Sequence, residues 1–155
     1  MGGQQVTEIQ VSVAGYVGCD VQFRSSRNST DVASFRVAST PRYFDQAKGR
    51  WTDGQTTWLT VVCYRLLAQH VSSSVQKGDP IIAVGKLRTQ AWTRQDGTPA
   101  QRDVLQAAAV GHDLARGTSA FRKAPRLSEQ SDDSVDVGAV IDVVEQSAAQ
   151  PGAAA

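Results

Sequence analysis

Apolar and polar residues alternate along most of the first 110 residues, and the alternation marks out strands. From Glu8 to Val17, Ile9, Val11 and Val13 alternate with Gln10 and Ser12, the period of a half-buried strand. Gly15 and Gly18 follow and predict a bend or bulge. A polar stretch, SSRNSTD, separates this strand from the segment 32–40, where Ala33, Phe35 and Val37 point one way and Ser34 and Arg36 the other. Pro41 ends its capacity for regular pairing. Residues 42–55, RYFDQAKGRWTDGQ, hold Gly49 and Gly54 among charges and aromatics, which predicts a long hairpin-like excursion outside the core. The next run, 56–64, is β-branched and aromatic throughout and is the clearest strand.

Leu67, Val71 and Val75 recur every four residues and predict a short amphipathic helix over 65–76, stopped by the turn Lys77-Gly78-Asp79-Pro80. A fourth strand is expected over 81–94, a turn at Asp96-Gly97, and a fifth strand over 103–110. Three strands, a helix and two strands is the element order of an all-β, five-stranded Greek-key barrel with one short helix, the OB-fold. A small sandwich is the competing architecture. From Gly117 onward Ser, Ala, Gln and Asp dominate, the composition of a disordered tail. The expected division is therefore a domain over 1–116 and a flexible acidic tail over 117–155. One apolar island, VDVGAVIDVV at 135–144, offers an alternative for that segment, an added strand packed on the body or on a neighbouring subunit.

The chain has 155 residues, 41% of them hydrophobic, enough for one core and not two. No stretch reaches the roughly 18 apolar residues of a membrane span. The start, MGGQQVTEIQ, lacks the basic-then-apolar pattern of a secretory signal, so the expected place is the cytoplasm, with no membrane partner. Cys19 and Cys63 are too few for a disulfide framework and too far apart for paired zinc ligands. Free thiols are expected, with a disulfide between subunits at Cys19 as the alternative. His70, placed at the boundary of helix and barrel, and His112 have no partners at metal-site spacing. No phosphate-binding glycine loop or paired carboxylate cluster occurs either, so no enzymatic activity, metal or cofactor is expected.

Charge changes the picture more than its total of +1 suggests. All 16 Lys and Arg lie in residues 1–126 against nine acids, a surplus of +7. Residues 127–155 carry the other six acids, among them Asp142 and Glu145, and no base. A basic body with an acidic tail suits a polyanion-binding domain whose tail repels or mimics that polyanion. Alternation then says where a polyanion would lie. Trp58, Thr60, Val62 and Tyr64 share a face opposite the core residues Leu59, Val61 and Cys63, and Lys86, Arg88, Trp92 and Arg94 project together from the next strand. Tyr43, Phe44 and Trp51 add rings to the excursion beside Arg42, Lys48 and Arg50. Single-stranded nucleic acid is held without sequence reading by rings that stack on bases and cations that follow phosphates. The competing fate of each tryptophan is an ordinary core position, that of each tyrosine an amphipathic surface site, and that of each cation a solvated charge.

IQVSVAGYVG, FRVAST followed by Tyr43, TTWLTVVCYRLLAQ, QKGDPIIAVGKLRTQAWTRQDG and the closing strand together resemble the bacterial single-stranded DNA-binding proteins from about residue 9 to 114. The resemblance implies a homotetrameric OB-fold that binds single-stranded DNA in replication, repair and recombination, at the nucleoid. Matched position by position, it implies stacking at Tyr43, Trp58, Tyr64 and Trp92. It also implies cation contacts at or beside Arg24, Arg42, Lys48, Lys77 and Arg88, whereas Lys86, Arg50 and Arg94 rest on the face alone. The sequence departs from the family in its first strand, where GYVG replaces a Gly-Asn, and at its end. The family's acidic tip, with its proline and terminal aromatic, docks partner proteins, and here the chain ends AAQPGAAA. Weak recruitment of replication and repair proteins is the expectation that follows. An OB-fold interaction module for protein or RNA partners is the alternative function.

Overall fold

The computed structural model of the chain describes residues 7–27, 29–125 and 137–149. In chain order its elements are β1 (Ile9–Val17), β2 (Gln22–Ser26), β3 (Ser29–Ser39), β4 (Arg42–Asp45), β5 (Arg50–Asp53), β6 (Thr57–Tyr64), α1 (Arg65–Ser74), β7 (Pro80–Thr93), β8 (Pro99–His112) and α2 (Val137–Ala149). Five strands close into a ring: β1 pairs with β7, β7 with β8, β8 with β6, β6 with β3, and β3 again with β1. β2 lies on the flank of β3, and β4 and β5 form a separate hairpin. This is the OB-fold barrel that the element order predicted, with α1 between its third and fourth strands.

The structure departs from the alternation in three places. SSRNSTD, read as a connection, supplies the end of β2 and the start of β3, with Gln22 opposite Ser34 and Arg24 opposite Val32. A polar strand paired on one side only carries no alternation to read. β8 begins at Pro99, four residues before the expected start, because the hairpin from β7 continues as far as Thr93 opposite Pro99. The apolar island within the expected disordered tail is helical and is not an added strand, and Val140, Ile141 and Val144 are fully buried. Spaced one and four apart, these three fall on one side of a helix. Of the remaining tail, residues 126–136 and 150–155 lie outside the described residues.

The interior follows from parity. Phe35 on β3 faces Val61 on β6, and both are buried with Ala33, Val37, Cys63, Ile81, Ala83 and Leu105. α1 closes one end through Ala68, Val71 and Val75. No side chain caps its first turn at Tyr64 and no acid lies there, so this short helix depends on packing.

Ring closure falls on β1, whose Tyr16 pairs with Pro80 of β7 and with Ala38 of β3. Gly15 sits at this fork, where a Cβ would collide with the Ala38 carbonyl oxygen and lie 2.8 Å from Val37 Cγ1. We expect Gly15→Ala to destabilise the protein by about 1–3 kcal/mol or more, the range for overpacking, with Ala47→Ser in the exposed turn between β4 and β5 as a control within about 0.5 kcal/mol. Urea unfolding followed by circular dichroism measures both, and equal midpoints would remove the fork from the closure.

Candidate nucleic-acid interface

Residues directly opposite one another on paired strands share a face, so the registers assemble the outer surface of the ring. On β3 and β6, Ala38 faces Trp58, Arg36 faces Thr60, Ser34 faces Val62 and Val32 faces Tyr64. On β7 and β8, Lys86 faces Gln106, Arg88 faces Val104, Gln90 faces Arg102 and Trp92 faces Ala100. The parallel pair Val62 and Gln106 joins the two halves, and β2 extends the face through Arg24 opposite Val32. Trp58, Tyr64, Trp92, Lys86, Arg88 and Arg24 therefore share one surface.

The three rings on that surface differ in access. Trp58 is 44% exposed, and the Arg36 guanidinium carbon lies 4.9 Å from its ring centroid, a cation–π contact. Trp92 is half-buried, and its Nε1–H donates to Asp142 Oδ2 at 2.8 Å. Tyr64 is also half-buried. Burial pushes its hydroxyl above the usual tyrosine value, Cys63 adds to the rise, and a hydrogen bond with the Gln90 side chain opposes it. Thr60 and Val62, expected to be open beside these rings, are buried. Val62, Val32 and Val104 form one apolar cluster with Val140 and Ile141 of α2, and Tyr64 and Trp92 pack against it.

The remaining predicted residues lie elsewhere. Tyr43 is 52% exposed on β4 and pairs with Thr52, on the opposite side of the hairpin from Phe44 and Trp51. Those two rings meet edge to face, with centroids 5.9 Å apart, and Trp51 is 62% exposed. Arg42 Nε is 2.9 Å from Asp53 Oδ1 and Lys48 Nζ is 3.8 Å from Asp45 Oδ2. Arg50 is exposed opposite Asp45. The hairpin links the end of β3 to the start of β6, next to Trp58. Arg94 is exposed beyond the end of β7, and Lys77 is exposed in the turn after α1.

Lys86 and Arg88 converge on one acid. Lys86 Nζ is 2.6 Å from Glu8 Oε2, and an Arg88 guanidinium N–H donates to Glu8 Oε1 at 2.7 Å. The Lys86 hydrogen bond, with Arg88 adding to it, holds the Glu8 carboxyl below its ordinary value against the opposing effect of desolvation. Arg102 Nε stands 2.6 Å from Glu145 Oε1, an ion pair whose angle falls short of a hydrogen bond, since that oxygen has no hydrogen-bond partner. Burial pushes the Glu145 carboxyl up, while Arg102, Arg36 and Arg94 pull it down. Arg36 and Arg102 were not among the predicted contacts. Arg36 was legible as a charge on the non-core face of its strand; Arg102 preceded the expected start of its strand and carried no such signal.

His70 is exposed on α1 and is not at the boundary with the barrel. His112 lies with Nε2 3.2 Å from Asp79 Oδ2 and Nδ1 2.8 Å from Ser119 Oγ. Among the described residues no three His, Cys, Asp or Glu side chains come together as a metal site, and no helix is long and apolar enough to cross a membrane.

A profile of the Single-strand binding protein family matches residues 9–113. The chain belongs to this family. It is 40% identical over 121 residues to Single-stranded DNA-binding protein 1 of Streptomyces coelicolor, covering 78% of this chain and 76% of that one. It is 43% identical over 120 residues to Single-stranded DNA-binding protein 2 of Streptomyces avermitilis, covering 76% and 73%. The crystal structure of a small single-stranded DNA-binding protein from Streptomyces coelicolor superposes with a TM-score of 0.61 at 38% identity, over 72% of this chain and 100% of that one.

In this member of the single-strand binding family both thiols are free and buried. Cys19 Sγ accepts the Arg36 backbone N–H at 3.4 Å. Burial raises its thiol above the ordinary value, and that hydrogen bond partly offsets the rise. Burial pushes Cys63 up to about 12. Reactivity follows the exposed thiolate, so we expect Ellman's reagent at pH 8 to leave both thiols of the native protein unmodified and to titrate both after unfolding. Native modification of Cys19 at the rate of free cysteine would contradict its burial.

Proposed function

We propose that the chain binds single-stranded DNA with tolerance for sequence, in replication, repair or recombination, without catalysing a reaction. The observation that carries this reading is Trp58, a large ring held open on a rigid sheet with a guanidinium 4.9 Å from its centroid. Every base has a π-face, so such a platform accepts any of them. Tyr43, Tyr64 and Trp92 are the further stacking positions. Arg24, Arg42, Lys48, Arg50, Lys77, Lys86, Arg88 and Arg94 supply cations for phosphates. Those of them in exposed ion pairs give up little, since such pairs contribute about 0–1 kcal/mol. Family membership and the printed names of the Streptomyces relatives support the same ligand.

Residues 1–116 would be the binding unit, acting as a homotetramer at the nucleoid in the cytoplasm. Support for association comes from the outer side of β1 and β7. Ile82 and Val84 are exposed there opposite Ala14 and Ser12, with Ala109 and Gly111 beside them on β8. A flat surface of small and apolar residues suits a subunit interface. One observation favours the second reading, a module for protein or RNA: the strip of Val32, Val62 and Val104 accepts an apolar helix. Titration with DNA and RNA oligomers at equal salt separates the two, since an adaptor gives no saturation that grows with strand length.

Tryptophan fluorescence is expected to quench on addition of poly(dT), with affinity falling as salt rises by a log–log slope of about 0.7 per phosphate neutralised. Trp58→Ala should weaken binding by about 1–3 kcal/mol, the range for loss of one stacking ring. Unchanged affinity in that variant would remove Trp58 from the interface. Mass in solution with and without a 70-nucleotide strand should give a tetramer and a single tetramer–strand complex; a monomeric mass would overturn the assembly.

A further inference from the structure

The outer surface around Trp58 reaches one ring that the DNA contacts named above do not include. Tyr16 of β1 lies opposite Ala38 of β3, and Ala38 lies opposite Trp58 of β6, so the three side chains share the outside of the barrel. Pairing continues past the end of β1, since the Gly18 N–H donates to the Arg36 carbonyl at 2.8 Å. Gly18 therefore stands on the same side of its chain as Tyr16, two residues on. The Trp58 ring lies so close over it that a Cβ at Gly18 would collide with Cζ3. Trp58 thus reaches across β3 to the chain that carries Tyr16, and Tyr16 is itself 45% exposed.

Both rings carry a guanidinium. Arg36 stands over Trp58, and the Arg116 guanidinium carbon lies 5.4 Å from the Tyr16 ring centroid, a second cation–π contact. Arg116 is placed there by the turn that follows β8. The Asp113 N–H donates at 2.9 Å to the carbonyl of Pro80, the residue opposite Tyr16 on β7, and the Arg116 N–H donates to the Asp113 carbonyl at 3.1 Å. Asp113 Oδ2 is 3.7 Å from Arg116 Nε, in a pair whose cation is the more open partner. The chain runs on through Ser119, tied to His112 Nδ1 at 2.8 Å, to Phe121, which is 92% exposed. Arg122 and Lys123 follow, both exposed and without an ion-pair partner among the described residues. Lys77 is also near, since the next residue, Gly78, donates its N–H to the Val17 carbonyl at 2.8 Å.

Tyr16 shares its side of β1 with Ala14 and Ser12, which belong to the surface proposed for association. The settings differ in charge. Ala14 and Ser12 face Ile82 and Val84, whereas Tyr16 lies beneath a guanidinium, on the path from Trp58 to a basic segment. We propose that Tyr16 and Arg116 form a further nucleotide site, where a base stacks on the tyrosine ring and a phosphate meets the guanidinium. A strand seated on Trp58 then continues across β1 towards the segment bearing Phe121, Arg122 and Lys123. This rests on the single-strand reading of the outer face.

The test titrates the full chain with labelled oligo(dT) over a range of salt. Tyr16→Ala should weaken binding about tenfold, within the range for one stacked base, and Tyr16→Phe, which keeps the ring, should recover most of that loss. Arg116→Gln should weaken binding and flatten the log–log salt slope by about 0.7, the share of one phosphate. Irradiation of the natural chain on a strand containing iodouracil should give a crosslink at Tyr16 as well as at Trp58. If Tyr16→Ala and Arg116→Gln bind as the natural chain does while Trp58→Ala weakens binding, the DNA reading stands and the Tyr16 site is overturned. If Tyr16→Ala changes the mass in solution and Arg116→Gln keeps the natural salt slope, the ring is a subunit contact and the site is again overturned. If no chain binds DNA, the reading of the face fails and the site fails with it. Should Tyr16→Ala lose its β-sheet circular dichroism, the Arg116→Gln salt slope and the crosslink decide.

Discussion

A sheet that closes on itself has an inside, and parity assigns each residue of β3, β6, β7 and β8 to it or to the outside. Closure depends on β1 serving two partners at Tyr16, which the bare backbone of Gly15 allows. An open ring would leave strand edges unpaired and no enclosed space for Phe35, Val61, Ile81 and Leu105 to fill. Because those side chains take the interior, the alternate positions have only the outside. Trp58 and Trp92 therefore lie on the outside of the packed barrel, where the proposed stacking would use them.

The electrostatics of the outer face follow from the same division. Lys86 and Arg88 are answered by Glu8, which precedes β1, and Arg102 by Glu145 on α2. Both acids come from segments flanking the barrel strands. The barrel supplies the cations, and its flanks supply acids that can be exchanged. The cations of these pairs are half-exposed while the acids are largely covered, so under the proposed reading a phosphate would approach from the cation's open side. Of the six acids in the acidic end, Asp142 and Glu145 lie on this surface.

Much of the barrel was legible because its strands are half-buried, and half-burial writes itself as alternation. Phe35, Val61 and Leu105 follow that rule. β2 does not: QFRSS pairs along β3 at the flank of the ring and has no second apolar neighbour to demand a pattern. Val62 and Thr60 sat on the correct face, yet are buried where exposure was expected. For Val62 the reason lies about 80 residues away in the sequence, in a helix that no local window connects to β6. The island that forms this helix is rich in β-branched residues, which favour strands. Its helical spacing of Val140, Ile141 and Val144 is visible, but it has meaning only once the strip of Val32, Val62 and Val104 exists to receive it. Charges such as Lys86 were placed on the right face, while their pairing with Glu8 depended on where the chain before β1 runs.

That one face can suit both a nucleic acid and a helix follows from its composition. Its centre, Val32, Val62 and Val104, is apolar, and around it stand Arg36, Arg88 and Arg102. A ligand fits if it offers apolar surface to the middle and anions to the margin. Single-stranded DNA does so with base planes and phosphates, and α2 does so with Val140 and Ile141 against the centre and Glu145 toward Arg102. The two differ in their donors and acceptors. The helix closes its own backbone polar groups, so it brings only side-chain carboxylates, whereas a strand brings phosphate oxygens along its whole length. Ser34 Oγ, opposite Val62 on this face, is left without a hydrogen-bond partner, and a strand carries more acceptors than the helix does.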